Sequence, residues 1–313
     1  MKPWLDHGDV RLYHGDVIAC LEHLPPGSCQ TCVTSPPYWG LRDYGQPGQI
    51  GLEPSPAEYV DRIVQVFRSV WRVLRDDGTL WLNLGDSYTS GGRDGFGPQS
   101  GKQQTNVGSL GMPRAMQPPG LKPKDLVGIP WRVAFALQAD GWYLRSDIIW
   151  SKPNPMPESV TDRPTKAHEY VFLLSKRPRY FYDADAIREP HESTRWGGRH
   201  SGPNTDDWKN GSRIRERDDR DHYPDGGRNA RSVWEIATQP FPEAHFATYP
   251  AALVRRCILA GSREGDTVLD PFVGSGTTAH VARKHGRHAI GIDLNSDYLE
   301  IAARRLQQLS LLT

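Results

Sequence analysis

The stretch Asp270-Pro271-Phe272-Val273-Gly274-Ser275-Gly276-Thr277 decides the fold of this chain. Apolar residues within 266–270 predict a strand before it, and the pattern of residues 277–286 predicts a helix after it. Gly274 and Gly276 lack a Cβ atom, so the backbone there can turn tightly and approach a ligand. A strand, a glycine loop and a helix in this order are typical of doubly wound sheets, which bind ligands beyond the carboxyl ends of their strands.

Strands and helices alternate along the rest of the chain, apart from two irregular stretches. The predicted strands are residues 11–16, 30–34, 79–85, 142–150, 168–175 and 288–293, and the predicted helices are residues 17–24, 56–75, 125–140, 248–260 and 297–308. Residues 87–124 are rich in Gly, Gln, Pro and Ser, and residues 176–231 are dense in charge, which predicts long loops. The alternation predicts an α/β fold with a Rossmann-like, doubly wound, mostly parallel sheet.

Composition argues against a globally basic nucleic-acid-binding protein, a membrane or secreted protein, and a zinc protein. The 313 residues carry a formal net charge of +1, so any surface for nucleic acid must be local. No apolar run approaches the ~20 residues of a membrane span, and the N-terminus lacks a signal-peptide core, so a soluble cytoplasmic protein is expected. The 4 cysteines include Cys29 and Cys32 without a second pair at zinc-like spacing, which predicts buried structural thiols and no metal.

A carboxylate is predicted at the tip of the strand next to the glycine loop. Residues 288–293 end in Asp293, which is followed by Leu294 and Asn295. A carboxylate at this place can accept hydrogen bonds from both hydroxyls of a ribose. The chain has no Gly-Lys-Ser/Thr phosphate loop, which argues against a triphosphate ligand. The alternative interpretation makes Asp293 a helix cap and Asp270 a turn former.

A second motif, Thr34-Ser35-Pro36-Pro37-Tyr38-Trp39, follows the predicted strand at residues 30–34. Its prolines fix the backbone, so the Ser35 hydroxyl and the Pro36 carbonyl are preset acceptors. Two acceptors suit both N–H groups of an amino group on a flat heterocycle. The Tyr38 ring offers a face on which a base can stack, worth ~1–3 kcal/mol. Taken alone, the motif is equally consistent with a strand-terminating turn.

The two motifs together resemble the signature pair of the DNA amino-methyltransferases, which move a methyl group from S-adenosylmethionine to an exocyclic base nitrogen. Residues 149–155 and 168–170 resemble the middle motifs of that family. The target-amine motif comes first, which is the circularly permuted order of the beta class, and the resemblance implies a seven-stranded methyltransferase sheet. The implied catalytic residues are Ser35, Pro36, Pro37 and Tyr38. The implied cofactor residues are Asp16 near the adenine, Asp293 at the ribose with Asn295 beside it, Phe246 packed on the cofactor, and Asp270, Pro271, Phe272, Gly274, Ser275, Gly276 and Thr277 along the methionine part.

The residue before the two prolines of the target motif bears on which base is methylated. In the family, a serine before Pro-Pro-Tyr/Phe tends to accompany N4-cytosine methylation and an aspartate N6-adenine methylation, so Ser35 favours cytosine, with adenine as the alternative. C5 methylation is disfavoured because no cysteine lies beside the prolines. The target atom is buried in double-stranded DNA, so the base must be flipped out. An alternative of another class is a DNA-binding protein that holds S-adenosylmethionine without turnover, and RNA methylation is less favoured because no RNA-binding module is recognisable.

The irregular stretches are the predicted DNA-recognition region. We expect residues 1–175 to form the catalytic part, residues 176–235 a target-recognition insertion, and residues 236–313 the cofactor-binding part. Arginines can contact phosphate or guanine, and the candidates are Arg195, Arg199, Arg213, Arg215 and Arg217. Acidic residues nearly balance them, so a solvated loop with internal ion pairs is the alternative. The resemblance implies a restriction-modification or solitary enzyme, monomer or homodimer, with any cognate endonuclease acting separately.

Overall fold

Helices and strands alternate through the computed structural model, which describes residues 1–89, 120–190, 227–239 and 249–310. The strands are β1 (Leu5–Asp6), β2 (Val10–His14), β3 (Cys29–Thr34), β4 (Leu74–Leu84), β5 (Tyr143–Ser151), β6 (His168–Ser175), β7 (Val233–Glu235), β8 (Thr267–Asp270) and β9 (His288–Asp293). The α-helices are α1 (Val17–Glu22), α2 (Pro56–Val73), α3 (Ile129–Ala139), α4 (Ala251–Gly261), α5 (Thr277–Lys284) and α6 (Ser296–Ser310). Each strand and helix predicted from the sequence is present, with bounds that differ by a few residues.

The strands of the described residues form one nine-stranded sheet in the order β1-β2-β9-β8-β3-β4-β6-β5-β7. Neighbours from β2 to β4 run parallel, as do β5 and β7, whereas β6 is antiparallel to β4 and to β5. The mostly parallel, doubly wound sheet is therefore confirmed. The seven strands expected are the central ones from β2 to β5. The edge strands β1 and β7 span only 2 and 3 residues, too few for an alternating pattern to predict them.

Each central strand sends alternate side chains to opposite faces of the sheet. On β4, Leu80, Leu82 and Leu84 pack in a core that includes the buried faces of α1, α2 and α3, whereas Trp81 packs in a second core with α4, α5 and α6. Both faces of the sheet are thus covered by helices. This explains why all residues of β3 are buried, which is typical of a strand inside a parallel sheet.

Local signals in the sequence fix the position of α2. The Ser55 hydroxyl accepts a hydrogen bond from the Glu58 N–H at 3.2 Å and caps the helix, and Pro56 occupies its first turn. Its buried residues recur at helical spacing. Although α2 has 18 residues, no helix among the described residues is long and apolar enough to cross a membrane.

One boundary was predicted wrongly, because turn-forming residues lie inside a strand. β4 begins at Leu74, whereas the sequence predicted a strand only from residue 79, after Asp76-Asp77-Gly78. Leu74 pairs with Cys29 and Thr79 pairs with Thr31, so the register between β3 and β4 shifts across the three turn-forming residues. They interrupt the pairing without ending the strand.

The connections after β3 and β8 leave the centre of the sheet in opposite directions. β3 and β8 are neighbours, yet α2 covers one face and α5 covers the other. In an open α/β sheet, a ligand crevice forms outside the carboxyl ends of the strands where successive connections diverge. The target motif directly follows β3 and the glycine loop directly follows β8. The topology therefore brings both to the same crevice.

The flanks of the predicted target-recognition insertion lie side by side. Glu189 and Arg228 exchange backbone N–H···O hydrogen bonds of 2.9 and 2.8 Å. Within the predicted insertion, β7 pairs with β5 as part of the main sheet, and Ile187 packs in the core beside α4. Both described flanks of residues 191–226 thus belong to the main body of the protein, while the domain boundaries at 176 and 235 stay predictions.

Candidate active site

A cavity of about 670 Å³ opens at the crevice beyond β3 and β8. Ser35, Pro36, Pro37 and Tyr38 from the target motif lie on its wall, together with residues 271–275 from the glycine loop. The two motifs are joined directly as well, because Thr34 donates a hydrogen bond to Asp270, 236 positions away in the sequence. The two motifs therefore border one space, which is the convergence that their pairing predicted.

A buried carboxylate holds the two strand ends together. Asp270 is 2% exposed, and its Oδ1 accepts from the Thr34 hydroxyl at 2.7 Å. Its Oδ2 accepts from the Thr278 and Tyr249 hydroxyls at 2.6 and 2.9 Å. Burial raises the pKa of Asp270, and these hydrogen bonds oppose the rise. Asp270 is not among the residues that line the cavity, and its hydrogen bonds give it a structural role, while its predicted place along the cofactor stays a prediction.

The glycine loop is shaped by two residues with positive φ. Gly274 has φ of +51° and lines the cavity, and its N–H donates to Asp293 Oδ2 at 2.8 Å. Gly276 has φ of +82°, and a Cβ atom there would lie 2.7 Å from the Ala302 Cβ of α6. Gly276 does not line the cavity. It is required for close packing of the loop on α6, whereas Gly274 brings backbone to the cavity.

Asp293 lies at the tip of β9 and lines the cavity, as the sequence predicted. Besides the Gly274 N–H, it accepts the Asn295 N–H on Oδ1 at 2.8 Å. Burial raises the pKa of Asp293 to about 6, and the two backbone donors oppose that rise. A carboxyl group in this environment changes its charge close to neutral pH, and ionisation makes it a stronger acceptor for hydroxyl groups.

The remaining predicted cofactor residues divide into those on the cavity and those outside the described residues. Asp16 lines the cavity and also caps α1, where its Oδ1 accepts the N–H groups of Ile18 and Ala19, both at 3.0 Å. The other predicted cofactor residues that line the cavity are Pro271, Phe272, Ser275, Thr277 and Asn295. Phe246 lies outside the described residues, as do the candidate DNA contacts Arg195, Arg199, Arg213, Arg215 and Arg217.

The target motif is held in place on both sides of its prolines. Thr34 is fixed by Asp270, and the Pro37 carbonyl accepts the Tyr59 hydroxyl of α2 at 2.9 Å. Between them, the Ser35 hydroxyl donates to the Tyr38 hydroxyl at 3.2 Å. Because the Ser35 hydrogen is engaged by Tyr38, the lone pairs of Ser35 Oγ are the atoms left for a ligand in the cavity.

The Tyr38 hydroxyl points into a polar network. It lies 2.7 Å from Glu169 Oε2 and 3.1 Å from Asn83 Oδ1. Burial, followed by the charge of Glu169, raises the pKa of Tyr38 well above its usual value, so the phenol stays neutral and donates. The ring packs against Gly85, where a Cβ atom would lie 2.5 Å from the ring Cε2. Gly85 therefore leaves the space that Tyr38 occupies.

Several polar residues on the cavity wall were not predicted as site residues, among them Asn83, Lys152 and Glu169. Lys152 forms an ion pair with Glu169 Oε1, and the Asn83 amide donates to Glu169 Oε2 at 3.1 Å. β6 runs antiparallel to β4, so its first residues lie at the carboxyl ends of the parallel strands. The signal for Lys152 and Glu169 was their place in the two middle motifs, and for Asn83 it was a lone polar residue at the end of an apolar strand.

Aromatic residues on the cavity wall were also missed. Tyr44 and Tyr298 line the cavity with ring centroids 6.4 Å apart and planes at 79°, and Tyr249 lines it while bonding to Asp270. Tyr44 belongs to a loop that is closed by a hydrogen bond from the Gly40 N–H to the Gly51 carbonyl at 2.9 Å. Nothing periodic marks this loop, so its contribution to the cavity depends on tertiary structure.

The cysteines are free and buried, which confirms the predicted structural thiols. Burial raises the pKa of the Cys29 thiol to about 12 and that of Cys32 well above its usual value. Thiols of this kind are poor nucleophiles and poor metal ligands. Within the part of the chain that the structure describes, no group of three or more His, Cys, Asp or Glu side chains is placed to hold a metal ion.

Comparison with known families accounts for the arrangement of these motifs. Residues 29–304 match the sequence model of the N6_N4_Mtase family, which is described as DNA methylase. The match runs from β3 into α6 and includes both motifs on the cavity. The chain belongs to the N6/N4 family of DNA methylases. This methylase is therefore an enzyme that modifies exocyclic amino groups of DNA bases, as the resemblance implied.

Individual relatives agree with this family. The methylase is 48% identical over 303 residues to type II methyltransferase M.Cfr9I of Citrobacter freundii, covering 97% of this chain and 89% of the relative. Among solved structures, the PvuII DNA methyltransferase (cytosine-N4-specific) matches with a TM-score of 0.65 at 20% identity, covering 97% and 88% of the two chains. A putative DNA modification methylase of Thermus thermophilus in complex with S-adenosyl-L-methionine matches with a TM-score of 0.58 at 24% identity, covering 95% and 93%. At these identities the two structures show a shared fold.

Proposed function

We propose that this methylase is a site-specific type II DNA methyltransferase that transfers the methyl group of S-adenosylmethionine to the exocyclic N4 of a cytosine flipped out of double-stranded DNA. The observation that carries the proposal is the single cavity with Ser35 on one wall and Gly274 and Asp293 on another. A methyl donor and an amine acceptor must meet in one enclosed space for direct transfer.

The residues of the cavity fit S-adenosylmethionine as the methyl donor. The volume of about 670 Å³ lies within the ~300–1,000 Å³ of ordinary ligand sites. Asp293 would hold the ribose hydroxyls, Asp16 would lie near the adenine, and the Gly274 backbone would border the methionine part. The bound cofactor supplies an activated methyl group on a sulfonium, so the transfer needs neither a covalent intermediate nor a metal. The Thermus thermophilus relative in complex with this molecule supports the assignment.

The target motif would hold the amine. The Ser35 hydroxyl and the Pro36 carbonyl accept its two N–H groups, which favours a pyramidal nitrogen with its lone pair directed at the methyl group. Ser35 is ready to accept because its own hydrogen is donated to Tyr38. The Tyr38 ring would stack on the extruded base, while its hydroxyl anchors the ring to Glu169 at 2.7 Å.

Two observations support cytosine as the target base. The residue directly before Pro36-Pro37-Tyr38 is Ser35, and a serine there tends to accompany N4-cytosine methylation in the family. The fold is also shared with a PvuII enzyme named as cytosine-N4-specific. Adenine N6 is the alternative. It uses the same cavity and the same acceptors, so analysis of the methylated nucleoside distinguishes the two.

Transfer of labelled methyl groups to DNA tests the activity. Wild type is expected to label duplex DNA, whereas Ser35→Ala and Tyr38→Ala lose most of the rate and still bind the cofactor. Ser28→Ala is the matched control, because Ser28 does not line the cavity. Binding of both cofactor and DNA by wild type without any transfer would favour the alternative of a non-catalytic DNA-binding protein.

Target recognition is assigned to residues 176–235 on the position of this stretch and its arginines. The neighbouring flanks Glu189 and Arg228 are hydrogen-bonded to each other, so a deletion of residues 194–225 leaves both flanks in place. We expect the deletion to abolish sequence-specific methylation and to preserve affinity for S-adenosylmethionine in calorimetric titration. Retained sequence specificity would contradict the assignment. Any cognate endonuclease is proposed to act as a separate protein.

A further inference from the structure

A chain of hydroxyl groups leads from the proposed amine site to a carboxylate. Ser35 Oγ donates to the Tyr38 hydroxyl at 3.2 Å, and the Tyr38 hydroxyl lies 2.7 Å from Glu169 Oε2. All three residues line the cavity, but Glu169 lies behind Tyr38 in this chain of hydrogen bonds. The Glu169 side chain is 15% exposed and is paired with Lys152, itself 18% exposed.

The hydrogen bonds from Ser35 through Tyr38 to Glu169 have one preferred donor-to-acceptor direction. Tyr38 has a single hydroxyl hydrogen, and the shorter contact to an ionised acceptor is the stronger one, so that hydrogen is directed to Glu169 in preference to Asn83 Oδ1 at 3.1 Å. The Tyr38 oxygen is then free to accept from Ser35. Ser35 in turn presents only lone pairs to the cavity. A carboxylate two links away thus sets the polarity of the atom that would meet the amine.

Besides Tyr38, two further residues hold Glu169 in place. The Lys152 ammonium, just after β5, pairs with Oε1 and also lies 4.4 Å from the centre of the Trp150 ring. The Asn83 amide, on β4, donates to Oε2 at 3.1 Å and to the Tyr170 carbonyl at 3.1 Å. These contacts fix the orientation of the carboxylate and supply its counter-charge without engaging the Tyr38 hydroxyl hydrogen.

We propose that Glu169 is a positioning residue and the terminal proton acceptor of methyl transfer. The inference rests on the proposed function. As the N–C bond forms and the S–C bond breaks, the amine proton passes to Ser35 Oγ, the Ser35 proton passes to the Tyr38 oxygen, and the Tyr38 proton passes to Glu169. The methylated amine is left neutral and Glu169 is left protonated. The carboxyl group then returns its proton to solvent.

Single-turnover methyl transfer at saturating S-adenosylmethionine tests this proton relay from Ser35 through Tyr38 to Glu169. We expect Glu169→Gln and Tyr38→Phe each to lower the rate about 10²-fold at neutral pH, with dissociation constants for cofactor and DNA within about twofold of wild type. Because both substitutions break the same chain, the double variant should be no slower than the slower single variant. Glu264→Gln is the matched control, since Glu264 is an 85% exposed carboxylate away from the cavity.

The pH profile separates a relay from a purely structural role. Among the described residues, the charged and titratable groups facing Glu169 are Lys152, Lys166 and Tyr38. A carboxylate that accepts the proton predicts an acid limb in the wild-type pH–rate profile, and Glu169→Gln should lose that limb. Saturating cofactor removes the contribution of Asp293 from the profile.

Three results would overturn the inference: a wild-type rate for Glu169→Gln, additive losses in the double variant, or an acid limb that persists in Glu169→Gln. The proposed function itself fails in a distinguishable way, because wild type would then transfer no methyl group at all.

Discussion

A methyl group added at Gly85 is predicted to disable the active site by displacing Tyr38. A Cβ atom there would lie 2.5 Å from Tyr38 Cε2 and 2.9 Å from Cδ2, so an ordinary contact at 3.4 Å requires a movement of about 0.9 Å. The Tyr38 hydroxyl now lies 2.7 Å from Glu169, and a shift of that size exceeds what this hydrogen bond tolerates. Because a misplacement of ~1 Å can cost ~10²-fold in rate, Gly85→Ala should lower single-turnover methyl transfer by about that factor.

The assay compares Gly85→Ala with a substitution at a second crowded glycine that lies away from the cavity. At Gly261, the last residue of α4, a Cβ atom would lie 2.8 Å from both Thr31 Oγ1 and Trp81 Nε1. Overpacking costs about 1–3 kcal/mol, so both variants should unfold at lower urea concentration than wild type. Only Gly85→Ala should lose methyl-transfer rate per folded molecule. A wild-type rate for Gly85→Ala would refute the role given to Tyr38.

Three further predictions follow from single groups. Burial raises the pKa of Asp293 to about 6, so below that pH its ionised form, the better acceptor for ribose hydroxyls, is lost. Affinity for S-adenosylmethionine, measured by calorimetric titration, should therefore rise as pH increases through about 6. In Asp293→Asn the affinity should be weak and independent of pH. Thr34→Val removes a 2.7 Å hydrogen bond to the buried Asp270 carboxylate and should lower the free energy of unfolding in urea by about 1.5–3 kcal/mol. Thr31→Val removes a neutral 2.9 Å hydrogen bond to Thr79 and should lower it by only about 0.5–1.5 kcal/mol. Met156 is 85% exposed on the cavity wall, where its apolar side chain can brace the DNA from which the base is extruded. Met156→Ala should therefore weaken DNA binding about tenfold, measured by fluorescence anisotropy, and leave cofactor affinity unchanged.

The sequence was most informative where local signals coincide with strand ends. The glycine loop after β8 and the proline motif after β3 could each be placed at a carboxyl end, because strand, turn and helix signals follow one another along the chain. Parallel strands then bring those ends to one edge of the sheet. Asp293 could be assigned to the cavity by the same reasoning, and the structure places its carboxylate on that wall.

Residues whose position depends on pairing between distant strands could not be predicted in this way. Glu169 is the second residue of β6, and it reaches the carboxyl-end edge only because β6 runs antiparallel to β4 and β5. The middle motif at residues 168–170 marked this segment, but no local pattern states the direction of its strand. Asp270 illustrates a role that the motif did not indicate, because three hydroxyl donors bury its carboxylate and join the ends of β3 and β8.

The most direct test of the central claim is mass spectrometry of nucleosides from duplex DNA incubated with the protein and S-adenosylmethionine that carries a deuterated methyl group. A cavity that holds donor and amine together, with Ser35 at the amine, predicts deuterated N4-methylcytosine. Deuterated N6-methyladenine as the sole product would contradict the assignment of the base, and DNA without any deuterated methyl group would contradict the enzymatic account as a whole.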